Sequence, residues 1–269
     1  MVQGAKGLGI GIKTHILYGL MKTIFVVMAS RSKVRRTKMN CTKCNNTGWI
    51  IYTDKDGYEC ARECVCVKQR QSLARLERSG LGGLLDKYTF DRYIAKYDFQ
   101  KDLLTKAKNY LDEKDNKWFV VVGVSGCGKT MLCTAICKEL LEQGKELRFM
   151  SWLETANKLK QNINNAEVYE SIIQDLKDCE VLYIDDFWKS NNTTEPTPAD
   201  IKLANEILNY RYNKSMHNNY TRTLLSSERL ISQLIEYDSA IAGRLVEMSE
   251  GYLTEVRGAE KNYRLRNYL

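Results

Sequence analysis

The stretch Gly123-Val124-Ser125-Gly126-Cys127-Gly128-Lys129-Thr130 decides how the rest of this chain is read. It fits the pattern G-x-x-x-x-G-K-[ST], which has physical content only between a strand and a helix. Both flanks are present. Residues 118–122 are a continuous apolar, largely β-branched run, as in a strand buried on both faces. Residues 129–142 put Leu132, Ala135, Ile136 and Leu140 on one face and stop before Gly144, the pattern of an amphipathic helix with a glycine end signal. Glycines let the backbone wrap with its N–H groups inward, and the helix N-terminus adds positive potential, so the turn suits a phosphate chain. Gly123, Val124, Ser125, Gly126, Cys127, Gly128, Lys129, Thr130 and Met131 form the candidate nucleotide-binding set. Lys129 is expected to reach the β- and γ-phosphates, and Thr130 to offer its hydroxyl to Mg2+. The plainer reading, a chance glycine-rich turn, leaves the two flanks unexplained.

Outward from this loop, residues 181–184 form a second apolar run that ends in Asp185 and Asp186. At the carboxyl edge of a parallel sheet such acids face the ligand crevice. Asp185 is expected to hold Mg2+ and Asp186 to orient the attacking water. A helix-capping acid pair is the bland alternative. Cys127 has no evident base partner, since the chain holds two histidines, His15 and His217, and it reads as structural. Further strands are expected over residues 147–150 and 223–225, and helices over 105–111, 152–161, 168–177, 199–216 and 239–248, with a polar loop at 189–197. Strands alternating with helices predict an α/β fold with a parallel sheet and flanking helices.

The 269 residues suffice for one such domain plus a small module. The formal net charge of +8 is misleading about partners. Residues 1–40 hold eight basic residues and no acid, and the remaining 33 basic and 33 acidic residues cancel. The apolar run 16–29 is interrupted by Lys22 and falls short of the roughly 20 residues of a membrane span. Residues 1–40 therefore read as a basic leader, a disordered segment or an extension ahead of a start at Met39, with no membrane anchor. Of nine cysteines, Cys127, Cys133, Cys137 and Cys179 lie in or near nucleotide motifs, which favours a reducing, cytoplasmic setting over a disulfide scaffold.

The other five cysteines lie between 41 and 66. Cys41-x2-Cys44 and Cys64-x-Cys66 are 19 residues apart, close to the two-knuckle spacing that closes four thiolates around Zn2+. Asn45-Asn46-Thr47-Gly48 supplies a turn, and a hairpin over 49–59 returns the second pair. Cys60 competes for a ligand place. The expected organisation is a zinc-binding module at 41–68, a linker at 69–86 containing a short basic helix and Gly80, Gly82 and Gly83, and an ATPase domain at 87–269.

Four features together resemble the AAA+ helicase loaders of the DnaC/DnaI type, in particular the phage-like branch, and more distantly the IstB transposition ATPases. They are the cysteine module, Lys87-Tyr88-Thr89-Phe90-Asp91, the two nucleotide motifs, and Thr223-Leu224-Leu225-Ser226-Ser227-Glu228 with Ala240-Ile241-Ala242-Gly243-Arg244-Leu245. The resemblance implies that 226–228 is a sensor at a strand end, with Glu228 where many members carry Asn. It implies that Arg244 is an arginine finger offered to the ATP of a neighbouring subunit in a homo-oligomer, and that Arg264 is a second sensor. On sequence alone a surface arginine on a helix is the preferred reading of Arg244, and an ordinary basic C-terminus or a DNA-phosphate contact is the alternative for Arg264. The resemblance also favours Cys64 and Cys66 over Cys60 as zinc ligands, and assigns a DNA-contacting element near Lys158 and Lys160. The function it implies is ATP-dependent loading of a DnaB-type helicase onto single-stranded DNA at replication initiation. An IstB-like transposition accessory, or a weakly hydrolysing ATP-gated inhibitor of host helicase loading, shares most of the same features.

Overall fold

The structure, a computed structural model, describes residues 40–190, 195–217 and 220–265. The basic leader, apart from Asn40, lies outside the described residues. The chain divides into two compact units, one ending at Cys64 and the other running Val65–Leu269.

In the first unit β1 (Trp49–Thr53) pairs antiparallel with β2 (Glu59–Glu63). Asp54 makes the turn, its Oδ1 accepting from the backbone N–H of Asp56 at 3.0 Å and of Tyr58 at 2.8 Å.

The second unit opens with α1 (Val65–Arg78) and the short α2 (Gly82–Leu85), then α3 (Asp98–Asn109). This corrects the expected linker. Leu76, Leu81 and Leu85 are buried in the same core as β3 and the helix after it, so the segment 69–86 is packed structure. Gly80 (φ +85°) makes the turn between α1 and α2, and Gly82 and Gly83 open α2.

The remaining elements are β3 (Phe119–Gly123), α4 (Lys129–Glu142), β4 (Leu147–Ser151), α5 (Trp152–Gln161), α6 (Ala166–Asp178), β5 (Val181–Asp185), α7 (Pro198–Met216), β6 (Arg222–Ser227), α8 (Ile231–Tyr237), α9 (Ser239–Met248) and β7 (Leu253–Val256). The five strands β3 to β7 form one parallel sheet in the order β4-β5-β6-β3-β7. Because side chains alternate along a strand, Val120, Val122, Leu182, Ile184 and Leu225 join one core while Phe119, Val121, Val181, Tyr183 and Leu224 join the other. Helices cover both faces, as a parallel sheet requires. Among the described residues no helix is long and apolar enough to cross a membrane.

Candidate functional site

Strand order builds the site. β6 lies between β3 and β5, so the carboxyl ends of three neighbouring strands, at Gly123, Asp185 and Ser227, share one edge of the sheet. At Gly123 (φ +118°) an added Cβ would stand 2.0 Å from the Val256 carbonyl oxygen, and at Gly126 (φ +73°) 2.1 Å from Asn262 Oδ1. Only glycine fits either place. The cradle is closed by the ring of Tyr93, packed against Gly128, and by Tyr263, whose N–H donates to the Gly126 carbonyl at 3.1 Å.

Lys129 is nearly fully buried, and its Nζ donates to the carbonyls of Gly123 and Val124, both at 2.8 Å. The ammonium therefore stands inside the turn. Thr130 Oγ1 donates to Asp185 Oδ1 at 3.2 Å, which joins the loop to the end of β5. The same carboxylate oxygen accepts from Tyr183 Oη at 2.6 Å and from Ser226 Oγ. Burial pushes the Tyr183 phenol well up, so it remains a donor. Ser226 Oγ also accepts from the Asp186 N–H at 3.2 Å.

Asp186 and Trp188 both have left-handed backbone, φ +54° and +59°. Non-glycine residues in that region cluster where surrounding structure over-determines the conformation. Here Phe187 N–H donates to Ser226 O at 2.8 Å, and Ser227 Oγ donates to Phe187 O at 2.8 Å. The turn presents Asp186 Oδ2 to Lys189 Nζ at 2.8 Å, with Glu228 Oε1 at 3.8 Å from the same nitrogen.

The expected site residues thus fall into two sets. Gly123 to Thr130, Asp185, Asp186, Ser226 and Glu228 lie at one sheet edge, with Met131 half-buried in the core behind the loop. The hydroxyl of Ser226, not the carboxylate of Glu228, touches Asp185. Arg264 Cγ lies 3.4 Å from the Cβ position of Gly126, so this arginine flanks the loop. Arg244 stands elsewhere. Its guanidinium carbon is 5.6 Å from the centre of the Tyr212 ring on α7, its Nη1 is buried without a hydrogen-bond partner, and among the described residues no hydrogen bond or ion pair joins it to the loop.

Of the cations near α5, Lys160 Nζ is held 2.9 Å from Asp200, a buried residue of the capping box that starts α7. Its charge is spent on that cap. Lys158 instead lines a groove of about 400 Å³ in which Arg75 and Arg78 add positive charge and Glu154 a negative one, with Phe149 and the hydroxyls of Ser79, Ser151 and Thr155 between them. Tyr93, Tyr183 and Lys189 were not anticipated. Tyr183 was findable, since it sits two residues before Asp185 and so shares its face of β5.

Cys41, Cys44, Cys64 and Cys66 bring their sulfur atoms within 4.8 Å of one another, and Cys41 Sγ lies 3.8 Å from Cys64 Sγ. A tetrahedron with Zn–S bonds of about 2.3 Å has edges of roughly 3.8 Å, so the cluster fits zinc. The Gly48 N–H donates to Cys44 Sγ at 3.3 Å, a contact that steadies a thiolate. Cys60 is turned away, toward Asp54 Oδ2 at 3.5 Å.

Residues 99–268, more than half of the chain, match the family described as Novel STAND NTPase 3. The chain belongs to that family. Relatives of the chain include the phage-like element PBSX protein XkdC of Bacillus subtilis (strain 168), 27% identical over 241 residues, 85% of this chain and 87% of XkdC. The replicative helicase loader DnaC of Escherichia coli (strain K12) is 31% identical over 112 residues, 40% of this chain and 46% of DnaC. The chain therefore matches less than half of DnaC's length. A crystal structure of the DnaC helicase loader shares the fold with a TM-score of 0.55 at 20% identity, over 64% of this chain and 97% of that one. The resemblance to helicase loaders and the expected parallel-sheet α/β fold with flanking helices are both borne out.

Proposed function

We propose that the chain is an ATPase that loads a DnaB-type replicative helicase onto single-stranded DNA at replication initiation. The observation that carries the ATPase part is the hydrogen bond from Thr130 to Asp185, which brings a lysine-bearing phosphate loop and the acids of the neighbouring strand into one place. The residues fit Mg·ATP: the glycine cradle admits phosphate, Lys129 neutralises it, and Thr130 and Asp185 hold the magnesium ion. When bound, Mg2+ draws charge from the β- and γ-phosphates as their bond breaks. Asp186 orients the attacking water, Ser226 fixes the acids around it, Glu228 stands at the sensor position beside Lys189, and Arg264 closes over the loop. Arg244, on a separate surface, serves the nucleotide of a neighbouring copy, so hydrolysis depends on assembly.

The loader part is supported by the relative named as a replicative helicase loader; on this reading the four-cysteine cluster takes a structural zinc ion, and its module docks on the helicase. Single-stranded DNA engages through Lys158 with Arg75 and Arg78. Calorimetry with Mg·ATP tests the first part. The chain binds, and Lys129→Ala weakens binding by about 100-fold, as loss of charge-assisted contacts requires. A wild-type chain that ignores ATP rejects it. Transfer of a cognate helicase onto forked DNA tests the second.

A further inference from the structure

The roles above leave Lys189, a cation beside the acids at the sheet edge, unassigned. Lys189 lies 2.8 Å from Asp186 and 3.8 Å from Glu228, with its side chain nearly half exposed (45%). An exposed pair three residues apart contributes under about 1 kcal/mol, so stability alone does not explain the arrangement. The backbone nevertheless goes to some length to make it. Asp186 and Trp188 are both left-handed, the Lys189 N–H returns to the Asp186 carbonyl at 2.9 Å, and Trp188 is buried, stacked on Phe187 and edge-on to Tyr237. A buried tryptophan thus anchors a strained turn that points a lysine back at the acids.

Electrostatics supplies the reason. Asp185, Asp186 and Glu228 put three carboxylates at the edge where a terminal phosphate must come. Magnesium and Lys129 offset part of the repulsion; a further cation between acids and phosphate offsets more. Lys189 already stands there. The hydrogen bond to Asp186, with Glu228 and Asp185 behind it, holds its ammonium above the usual lysine range, so it is charged at any working pH.

We propose that Lys189 reads the terminal phosphate: it exchanges its contacts with Asp186 and Glu228 for the γ-phosphate of bound ATP, which frees Asp186 for the attacking water. ADP lacks that phosphate and leaves the lysine where it is. The proposal rests on the ATPase reading.

The test is calorimetric titration of the full chain with β,γ-methylene-ATP and with ADP, each with Mg2+. Lys189→Met weakens the triphosphate analogue roughly tenfold and changes ADP by less than about twofold, while Lys189→Arg keeps the preference. Asp186→Asn removes the competing partner and tightens the analogue relative to ADP. Equal changes for both nucleotides in Lys189→Met, or an unaltered preference, overturn the role. If Lys189→Met does not fold, Asp186→Asn decides, and an unchanged preference there overturns it as well. A wild-type chain that binds neither nucleotide rejects the ATPase reading and this role together; one that binds both, with Lys189→Met shifting them alike, rejects the role alone.

Discussion

Asp185 Oδ1 accepts hydroxyls from Thr130, Tyr183 and Ser226, so three elements meet on one oxygen of one carboxylate. A thiol in the same neighbourhood behaves oppositely. Cys127 is 1% exposed, and burial raises its thiol against the opposing pull of Lys129. The thiolate is the nucleophile, so raising the pKa removes reactivity at neutral pH, and reactivity returns only as pH climbs above the ordinary thiol range. Iodoacetamide at pH 7.5 is expected to leave Cys127 unmodified in the folded chain and to modify it after denaturation, as peptide mass mapping will show. Asp185 and Lys129 were legible because a motif names them; Ser226 as the touching residue was not, since three polar residues at a strand end look alike until the turn after β5 is built.

At the scale of elements, α7 is tied to the sheet by one arginine. Arg211 is fully buried. Its Nε donates to Thr223 Oγ1 at 2.9 Å, Nη1 to the carbonyls of Leu176, Lys177 and Cys179 at 3.1, 3.1 and 2.9 Å, and Nη2 to the Arg222 carbonyl at 2.7 Å. One planar cation thereby satisfies carbonyls at the end of α6 and at the start of β6. Arg211→Met leaves these acceptors buried without donors and is expected to lower stability by roughly 3 kcal/mol or more, read as a shift of the urea midpoint at unchanged slope. The sequence disguises this residue as the outer face of an amphipathic helix. The same limit explains α1 and α2, where Gly80, Gly82 and Gly83 look like flexible chain, although Leu76, Leu81 and Leu85 are buried by partners far along the sequence. Strands β3 and β5 were legible because their apolar runs are continuous; β7 has four residues and too little pattern of its own.

At the scale of the whole molecule, two features carry predictions of their own. Arg244 lies apart from the loop of its own chain, with a buried Nη1 lacking a hydrogen bond. Arg244→Ala is expected to keep ATP affinity within about twofold and to abolish the rise in hydrolysis with protein concentration. Full concentration-dependent activity in that variant removes the finger. The cysteine cluster belongs to the other feature. Cys44→Ser is expected to drop zinc from about one per chain to near none by metal analysis, because a structural site tolerates no missing ligand. That these four cysteines share one place was legible from spacing joined to family resemblance, whereas the two-unit division falls at Cys64 because α1 packs with the sheet.

The contact of Tyr263 with the Gly126 carbonyl has a practical side. Whatever is fused downstream of that tyrosine hangs from the glycine cradle itself. A purification handle at that end pulls on the very loop whose affinity is being measured, so handles, dyes and tethers belong at the opposite terminus.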